Sequence, residues 1–336
     1  MKAMVLEKIG KVEENPLKFK DVDIKKPEGF EILIKNLACG VCHSNLHMIE
    51  GDWLQYGLPG KQNIIPGHEI IGRVEELGEN VTDLKKGDIV GLQPLYSACG
   101  KCEYCLSGRE HLCPYGKWTG ETVDGGYAEY MIADSRYVNK VPSNIEPVNA
   151  PLFCPGVTAY TAVKKAELSP DKTVYIVGIG GVGHIALQIA KLYGSRVVAV
   201  TTSKSHEELA YKMGADDVII MDRNYENSDM LAKTADAAII FAPADAAVKN
   251  SIKFVKDGGV VVQGVRGNQG EFDFTRELKI KGSKIGTRQD MNEVLKLASD
   301  GKIKVESKTY RLEEANEALQ ALKHGEVNGR AVLKMY

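Results

Sequence analysis

The segment "VYIVGIGGVGHIALQ", which runs from Val174 to Gln188, predicts the fold of the domain that contains it. A short apolar, β-branched run is followed by a G-x-G-x-x-G turn and then by a helical pattern. In this context the first glycine makes the tight turn, the second admits a pyrophosphate, and the third lets helix pack on strand. The start of the helix adds unpaired N–H donors. The turn is therefore interpreted as a dinucleotide site, with a plain glycine-rich turn as the alternative. Its predicted cofactor contacts are Gly178, Gly180, Gly181, Val182 and Gly183.

Strand and helix patterns alternate on both sides of this turn, over residues 149–285. The runs "TVYIVG", "RVVAVT", "DDVII", "DAAIIFA" and "GVVVQGV" are short and apolar, which is typical of buried parallel strands. Helical runs such as "HEELAYKMG" separate them. This alternation predicts an α/β domain of Rossmann type, a doubly wound parallel sheet with helices on both faces.

The flanking segments have a different pattern. Residues 1–148 contain strand-length runs such as "AMVLEKI" and "FEILIKNLA" between glycine-rich turns, which predicts a small, partly open β-barrel. Residues 286–336 follow the pattern helix, strand, helix, strand. We expect this last segment to return to the first domain and pack on it.

The end of the second strand of the dinucleotide domain indicates which cofactor binds. NAD-binding domains place Asp or Glu there to hold the adenosine ribose hydroxyls. In this chain "RVVAVTTSKS" offers Thr201, Thr202, Ser203 and Lys204 instead. Hydroxyls and an ammonium group suit a 2′-phosphate, which a carboxylate would repel. The sequence therefore favours NADP(H), and NAD(H) held by the backbone remains the alternative.

Charge and composition exclude several classes of partner. The chain has 336 residues, a net charge of −2 and no basic block, so neither nucleic acid nor an anionic membrane is an expected partner. No apolar run has the length of a signal-peptide core or of a membrane span. We therefore expect a cytoplasmic protein, where reducing conditions favour metal binding over disulfides.

Four of the seven cysteines lie in one short segment, "CGKCEYCLSGREHLC". Four thiolates can close a tetrahedron around zinc, and a closed shell has no position for a substrate. The segment at residues 97–114 is therefore predicted to be a structural zinc lobe. An iron–sulfur cluster and four unrelated buried thiols are the alternatives. The ligands in question are Cys99, Cys102, Cys105 and Cys113.

A second metal site is indicated by "CGVCHSNLH" and "PGHEIIG", together with a cysteine at the domain boundary. Two thiolates, one imidazole and one open position make a catalytic zinc shell. With these motifs the chain resembles the zinc-dependent alcohol dehydrogenases of the medium-chain dehydrogenase/reductase superfamily, over essentially its whole length. The residues that carry the resemblance lie in "GVCHSNLH", "PGHE", the four-cysteine lobe, "CPGVTAY", "GIGGVG" and "NGRAVLKM". The stretch "TTSKS" is most similar to the NADP-dependent branch of cinnamyl-alcohol-dehydrogenase-like enzymes.

The resemblance implies a GroES-like catalytic domain at 1–148, a Rossmann domain at 149–285 and two zinc ions per chain. It implies that the catalytic zinc is held by Cys42, His68 and Cys154, with Glu69 behind it. Zinc polarises the substrate oxygen while hydride passes between the substrate carbon and the nicotinamide.

The resemblance also implies roles for four further residues. Ser44 is expected to bond the substrate hydroxyl, and His47 to pass its proton on toward solvent. His43 and Arg330 match residues that contact the cofactor pyrophosphate. Relatives of this length are often tetramers or dimers, so a homo-oligomer is expected, with a small alcohol or aldehyde as substrate.

This chain departs from the family pattern at two positions. Asn45 stands where an Asp usually supports the zinc-bound histidine, which leaves the strength of zinc binding open. Pro94 stands where relatives often carry an aromatic residue in the substrate pocket. Trp53 and Trp118 are then the remaining large candidates for pocket walls, with an ordinary structural role as the alternative for each.

Other functions remain as alternatives. Enoyl and quinone reductases of the superfamily generally lack the zinc ligands, and polyol dehydrogenases commonly replace the third thiolate with a carboxylate. The presence of the zinc ligands argues against the reductases, and Cys154 argues against the polyol dehydrogenases. A non-enzymatic nucleotide sensor predicts broken ligands, and among the site positions Asn45 alone supports it.

Overall fold

The computed structural model describes residues 1–335 of the chain. Its strands are β1 (Lys2–Leu6), β2 (Leu17–Asp21), β3 (Glu31–Val41), β4 (Ile70–Leu77), β5 (Ile89–Leu92), β6 (Leu95–Ser97), β7 (Lys117–Trp118), β8 (Tyr130–Asp134), β9 (Val138–Lys140), β10 (Thr173–Val177), β11 (Arg196–Thr201), β12 (Asp217–Ile220), β13 (Ala235–Ile240), β14 (Val255–Gln263), β15 (Lys279–Gly282), β16 (Ser307–Arg311) and β17 (Arg330–Lys334). Its α-helices are α1 (His43–Glu50), α2 (Glu103–Leu106), α3 (Pro155–Lys165), α4 (Gly183–Leu192), α5 (Ser205–Lys212), α6 (Asp245–Phe254), α7 (Arg288–Ser299) and α8 (Ala315–Lys323). None of these helices is long and apolar enough to cross a membrane.

The described chain divides into two compact units. The first unit comprises Met1–Cys154, Thr287–Ser299 and the described chain from Val305 onward. The second comprises Pro155–Gly286 and Asp300–Lys304. The first unit therefore contains both cysteine-rich motifs, and the second contains the glycine-rich turn.

The second unit is a six-stranded sheet in the order β12-β11-β10-β13-β14-β15, in which all neighbouring strands are parallel. Its central strands are apolar and buried, because the helices α4, α5 and α6 that connect strands of the sheet cover them. The strand order reverses at β10, and ligands bind sheets of this type at such a reversal, beyond the carboxyl ends of the strands. The α/β fold predicted from the alternation is confirmed.

The first unit is built on a seven-stranded sheet in which β16, β17, β3, β4, β5 and β9 follow one another and β8 also pairs with β3. The carboxyl-terminal strand β17 lies antiparallel to β3, with Ala331 opposite Val41 and Lys334 opposite Ala38. This pairing brings a residue at position 330 next to the strand that leads into Cys42.

Close backbone approach of glycines holds one corner of this unit. A Cβ added to Gly125 would lie 2.0 Å from the carbonyl oxygen of Gly67, and one added to Gly120 would lie 2.5 Å from the Gly67 nitrogen. Only glycine allows these contacts, and Gly67 itself has a φ of +100°. The segment after β7 therefore packs directly on the turn that precedes His68.

A second close approach positions Cys154. Gly91 on β5 faces the buried ring of Phe153, and an added Cβ would lie 2.0 Å from the Phe153 Cζ atom. Phe153 ends the 3-10 helix Pro147–Phe153, directly before Cys154. The packing of the Phe153 ring thus helps to fix the position of Cys154.

We predict that Gly91→Ala destabilises the first unit, because overpacking a filled core typically costs about 1–3 kcal/mol. The measurement is the melting temperature by calorimetry. Gly10→Ala is the matched control, since its Cβ would meet only ordinary contacts at 3.5 Å or more. An equal melting temperature for the two variants would show that the Phe153 ring moves aside without a measurable loss of stability.

Candidate active site

The first cluster brings together residues from three separate segments of the first unit. Cys42 lies between β3 and α1, His68 directly precedes Glu69 and β4, and Cys154 directly follows the 3-10 helix. One candidate ligand atom from each of these four residues lies within 4.8 Å of all the others. The Sγ atoms of the two cysteines are 4.0 Å apart.

This donor set fits a zinc ion. A tetrahedral ion with Zn–S bonds of about 2.3 Å places its sulfur ligands about 3.8 Å apart, close to the separation of Cys42 and Cys154. The Nε2 atom of His68 faces the same space, since the Ser44 hydroxyl lies 3.4 Å from it. Two sulfurs and one imidazole nitrogen leave a fourth position for water or substrate.

The contacts within the cluster favour ionised sulfur at Cys42. The hydrogen bond between the Cys42 and Cys154 sulfurs lowers the pKa of Cys42 well below its usual range and raises that of Cys154. Burial lowers the pKa of His68, but hydrogen bonding and charge from Cys42 outweigh it and raise this pKa to about 9. Since ligands bind metal in their deprotonated forms, loading the site releases protons.

Glu69 is held behind the cluster by a buried ion pair. Arg330 donates from its Nη2 atom to the Glu69 carboxylate and, at 2.8 Å, to the Val41 carbonyl oxygen. Burial raises the pKa of Glu69 to about 7 although Arg330 opposes it. This pairing ties β17 to the segments on either side of the cluster. The sequence predicts a pyrophosphate contact for Arg330 and gives no sign of its pairing with Glu69.

The other nitrogen of His68 faces polar side chains. The Nδ2 atom of Asn45 lies 3.5 Å from His68 Nδ1, and the Tyr127 hydroxyl donates to Asn45 Oδ1 at 3.3 Å. A carboxylate oxygen of Glu121 lies 4.0 Å from the same Nδ1 atom. These residues can therefore orient the imidazole from the side opposite its Nε2 atom.

Ser44 and His47 lie one turn apart on α1, so they share a face of the helix. His47 is half exposed and makes a 2.7 Å contact through Nδ1 with the Asp52 carboxylate. Its ring stacks on Trp53, with centroids 5.8 Å apart. Asp52 thus holds Nδ1 and leaves Nε2 of His47 available to accept a proton.

The four cysteines of the lobe also converge. The Sγ separations are 3.5 Å between Cys102 and Cys105, 3.8 Å between Cys102 and Cys113, and 3.9 Å between Cys99 and Cys105. All are close to the edge of about 3.8 Å expected for a zinc tetrahedron. The residues therefore fit a closed four-thiolate site.

The lobe favours ionised sulfur at Cys99 and is anchored to another segment of the first unit. Backbone N–H groups of Lys101 and Cys102 point at Cys99 and lower its pKa to about 6. Glu110 accepts hydrogen bonds from the backbone nitrogen of Arg288, at 3.1 Å, and from its side chain. A metal bound by these four thiolates would order a surface loop and would have no open position for chemistry.

The glycine-rich turn has the geometry that a pyrophosphate requires. Gly178 has a φ of +93°, and a Cβ on Gly183 would lie 1.9 Å from the Gly178 carbonyl oxygen. A Cβ on Gly180 would meet no protein atom within 4 Å, so the glycine leaves open space beside the backbone. Helix α4 begins at Gly183 after Val182, with its first N–H groups at this turn.

The residues at the end of β11 and after it differ in how far their side chains are exposed to a ligand. Thr201 is buried, and its hydroxyl contacts His206 Nδ1 at 3.2 Å and accepts from the Ser203 nitrogen. Thr202 and Lys204 are exposed. A phosphate at this end would therefore meet Thr202 and Lys204 first, and Thr201 acts mainly by shaping the turn.

The candidate pocket residues all lie in the first unit. Pro94 is buried, and its carbonyl oxygen accepts from the nitrogen of Thr119. Trp118 lies on β7, opposite Leu95, and Trp53 lies against His47. His43 begins α1 and is exposed, next to Cys42.

Reasoning from the sequence missed three residues that contact the predicted ones. Asp52 holds His47, Tyr127 holds Asn45, and Glu121 faces His68. Asp52 is only five positions from His47, so its proximity was legible in the sequence. The other two come from distant segments, and no local spacing indicates them.

Family models match both parts of the chain. Residues 28–143 match the alcohol dehydrogenase GroES-like domain, and residues 181–300 match the zinc-binding dehydrogenase domain. An alcohol dehydrogenase of Geobacillus stearothermophilus is 44% identical over 100% of this chain and 99% of its own length.

Two further relatives bear on cofactor and fold. An NAD-dependent alcohol dehydrogenase of Sulfurisphaera tokodaii is 38% identical over 99% of both chains. The crystal structure of an alcohol dehydrogenase from Aeropyrum pernix superposes with a TM-score of 0.90, at 34% identity over 100% of both chains. These names support alcohol dehydrogenases in general and do not support the NADP-dependent cinnamyl branch.

We predict that Cys154→Ser removes one zinc per chain and most turnover while the fold remains. A hydroxyl is a far weaker zinc ligand than a thiolate, and the shell then keeps only Cys42 and His68 as strong ligands. Metal content by mass spectrometry is the measurement. Cys39→Ser is the control, since Cys39 lies outside both clusters. Full activity at unchanged zinc content would contradict the assignment.

Cys105→Ser is expected to remove the other zinc and to lower the melting temperature, because a structural metal contributes its binding energy to folding. Zinc content and calorimetry measure both effects, with Cys154→Ser as the comparison. A variant that loses activity without losing stability would show that the lobe is more than structural.

Proposed function

The chain belongs to the zinc-containing alcohol dehydrogenases of the medium-chain dehydrogenase/reductase superfamily, and from this premise we propose that it interconverts a small alcohol and its aldehyde or ketone with NADP(H). It is a zinc- and nicotinamide-dependent oxidoreductase. We propose roles for individual residues, a zinc ion at each of the two clusters, and NADP(H) as the cofactor.

The observation that carries the proposal is the open three-ligand cluster of Cys42, His68 and Cys154, with the Ser44 hydroxyl beside it. When bound there, zinc supplies Lewis-acid stabilisation to a substrate oxygen, and the nicotinamide exchanges hydride with the substrate carbon. The two thiolates balance the charge of a divalent ion and keep the buried site neutral.

The proton that leaves the alcohol needs an acceptor within the chain. The Ser44 hydroxyl lies beside the cluster, 3.4 Å from His68 Nε2, and is the first candidate, and His47 follows on the same helical face. Asp52 holds His47 through Nδ1, so a proton taken at Nε2 produces an imidazolium stabilised by a carboxylate. The half-exposed ring then releases the proton to solvent.

Glu69 and Arg330 support this chemistry from behind. Since Glu69 belongs to the cluster of ligand atoms and is also paired with Arg330, it can approach the metal during ligand exchange. The four-cysteine lobe is proposed as a second, structural zinc site. Two zinc ions per chain follow from the two clusters.

Cofactor preference rests on the loop after β11. The loop has no carboxylate at positions 201–204, and Lys204 is exposed beside Thr202. A 2′-phosphate carries close to two charges, and charge-assisted hydrogen bonds are roughly twice as strong as neutral ones. NADP(H) is therefore proposed, with NAD(H) as the second candidate because a relative carries that name.

The division of labour is proposed along the chain. Residues 1–148, with the returning segment 286–336 and with Cys154, are proposed to provide the metal chemistry, and the rest of residues 149–285 to bind the dinucleotide. The pyrophosphate is assigned to the turn at Gly178–Gly183, with His43 and Arg330 as further contacts. Pro94, Trp53 and Trp118 are proposed to limit substrate size, and a cytoplasmic homodimer or homotetramer is the proposed form.

The test of the function is a panel of primary and secondary alcohols and of aldehydes, assayed with all four nicotinamide cofactors. Turnover that requires the catalytic zinc supports the proposal. Reduction of an activated C=C bond with no alcohol oxidation would instead indicate an enoyl or quinone reductase. Binding of the cofactor without turnover of any substrate would indicate a sensor.

We predict that Lys204→Gln lowers kcat/KM with NADPH about tenfold and leaves kcat/KM with NADH nearly unchanged. One hydrogen bond to a charged group is worth about 1.5–3 kcal/mol, and 1.4 kcal/mol is a factor of ten. Initial rates with one good aldehyde at low salt measure the ratio, with the exposed Lys302→Gln as the charge-matched control. A higher kcat/KM with NADH than with NADPH in the parent enzyme would show that the cofactor is NAD(H).

A further inference from the structure

His68 has two faces with different requirements. Its Nε2 atom points at the ligand side, where Ser44 lies 3.4 Å away. An imidazole that binds metal through Nε2 carries its proton on Nδ1, and that proton needs an acceptor to fix the ring. The residues around Nδ1 therefore determine how firmly the ring is held.

Asn45 is poorly suited to accept this proton. Its amide nitrogen is the atom turned toward His68 Nδ1, at 3.5 Å, while its oxygen accepts from the Tyr127 hydroxyl. Two N–H groups then face each other. A neutral amide also adds no negative charge to strengthen the imidazole as a ligand.

Glu121 offers what Asn45 lacks. Its carboxylate oxygen lies 4.0 Å from His68 Nδ1, and both side chains are nearly buried, at 11% and 1% exposure. A movement of about 1 Å brings the two atoms to hydrogen-bond distance. In so dry a site a carboxylate interacts with the imidazole more strongly than at a surface.

The backbone holds Glu121 at this place. Its carbonyl oxygen accepts from Gly60 at 2.7 Å, and its nitrogen donates to the Trp118 carbonyl oxygen at 3.2 Å. The preceding Gly120 approaches the backbone of Gly67, the residue before His68, as closely as only glycine permits. The position of Glu121 beside His68 is thus built into the packing of two loops.

We propose that Glu121 is a positioning residue that accepts the Nδ1 proton of His68 and supplies the carboxylate of a carboxylate–histidine–zinc unit, a role that Asn45 does not fill. The proposal rests on the proposed catalytic zinc at Cys42, His68 and Cys154. Glu121 does not touch the substrate or the metal, and it acts by orienting the ring and raising its basicity.

The experiment is a double-mutant cycle on the purified holoenzyme, comparing Glu121→Gln, Asn45→Asp and the double variant. The first readout is the affinity of the catalytic zinc, by competition with a chelator. Cys154→Ser identifies which zinc is lost. The second readout is the visible spectrum of the cobalt-substituted site, which reports ligand geometry independently of activity. Glu76→Gln is the control, since it removes one carboxylate at an exposed position of β4.

We expect Glu121→Gln to weaken catalytic zinc binding about 10- to 100-fold and to change the cobalt spectrum, while the lobe zinc stays bound. Asn45→Asp should restore binding in the Glu121→Gln background and gain much less in the parent. Such rescue separates a carboxylate role from general destabilisation. If Glu121→Gln alone fails to fold, recovery of folding and zinc in the double variant supports the proposal, and no recovery overturns it.

Equal zinc affinity and an equal cobalt spectrum for Glu121→Gln and Glu76→Gln would overturn the proposal. So would additive effects of Glu121→Gln and Asn45→Asp, since the two carboxylates would then not serve the same nitrogen. A parent protein that holds only the lobe zinc would refute the proposed function itself, which is a distinguishable result.

Discussion

The buried ion pair between Glu69 and Arg330 is the interaction on which the first unit depends. Both side chains are almost fully buried, at 0% and 3% exposure, so neither charge is stabilised by bulk water. Removing one partner of such a pair typically costs about 3–5 kcal/mol, because the other charge is left buried and uncompensated. Arg330 also donates to the carbonyl of Val41, next to Cys42, so one guanidinium joins three segments.

The space for this pair is made by glycine. A Cβ on Gly40 would lie 1.8 Å from a carboxylate oxygen of Glu69, so no other residue fits there while Glu69 keeps its place. The same device recurs at Gly67, Gly120 and Gly125, where backbones meet without side chains between them. Because these glycines have no side chains, the candidate metal ligands, the Glu69–Arg330 pair and Glu121 can lie close together. The proposed chemistry depends on this packing.

The two metal clusters could be inferred from the sequence to different degrees. The lobe was predictable because all four thiols lie within one short segment, where spacing alone limits their separation. The catalytic cluster needed the family resemblance, because Cys154 is far along the chain from Cys42 and His68. Nothing local indicated that Glu121 lies beside His68 or that Tyr127 contacts Asn45, since both come from distant segments. Thr201 shows a related difference, because burial of its hydroxyl depends on how α5 begins.

The amino-acid sequence alone was enough to predict the parallel α/β sheet, the dinucleotide turn and the four candidate ligands of the lobe. These depend on periodicity, on glycine geometry and on thiol spacing, all of which are properties of short segments, whereas Cys42, His68 and Cys154 were predicted from the family resemblance. Only the tertiary structure decided which groups surround those ligands. It paired Arg330 with Glu69, turned the amide nitrogen of Asn45 toward His68 and placed Glu121 on the same face. The physical reason is that burial and electrostatic coupling act between atoms that are close in space, and distances across the fold are not encoded in local spacing.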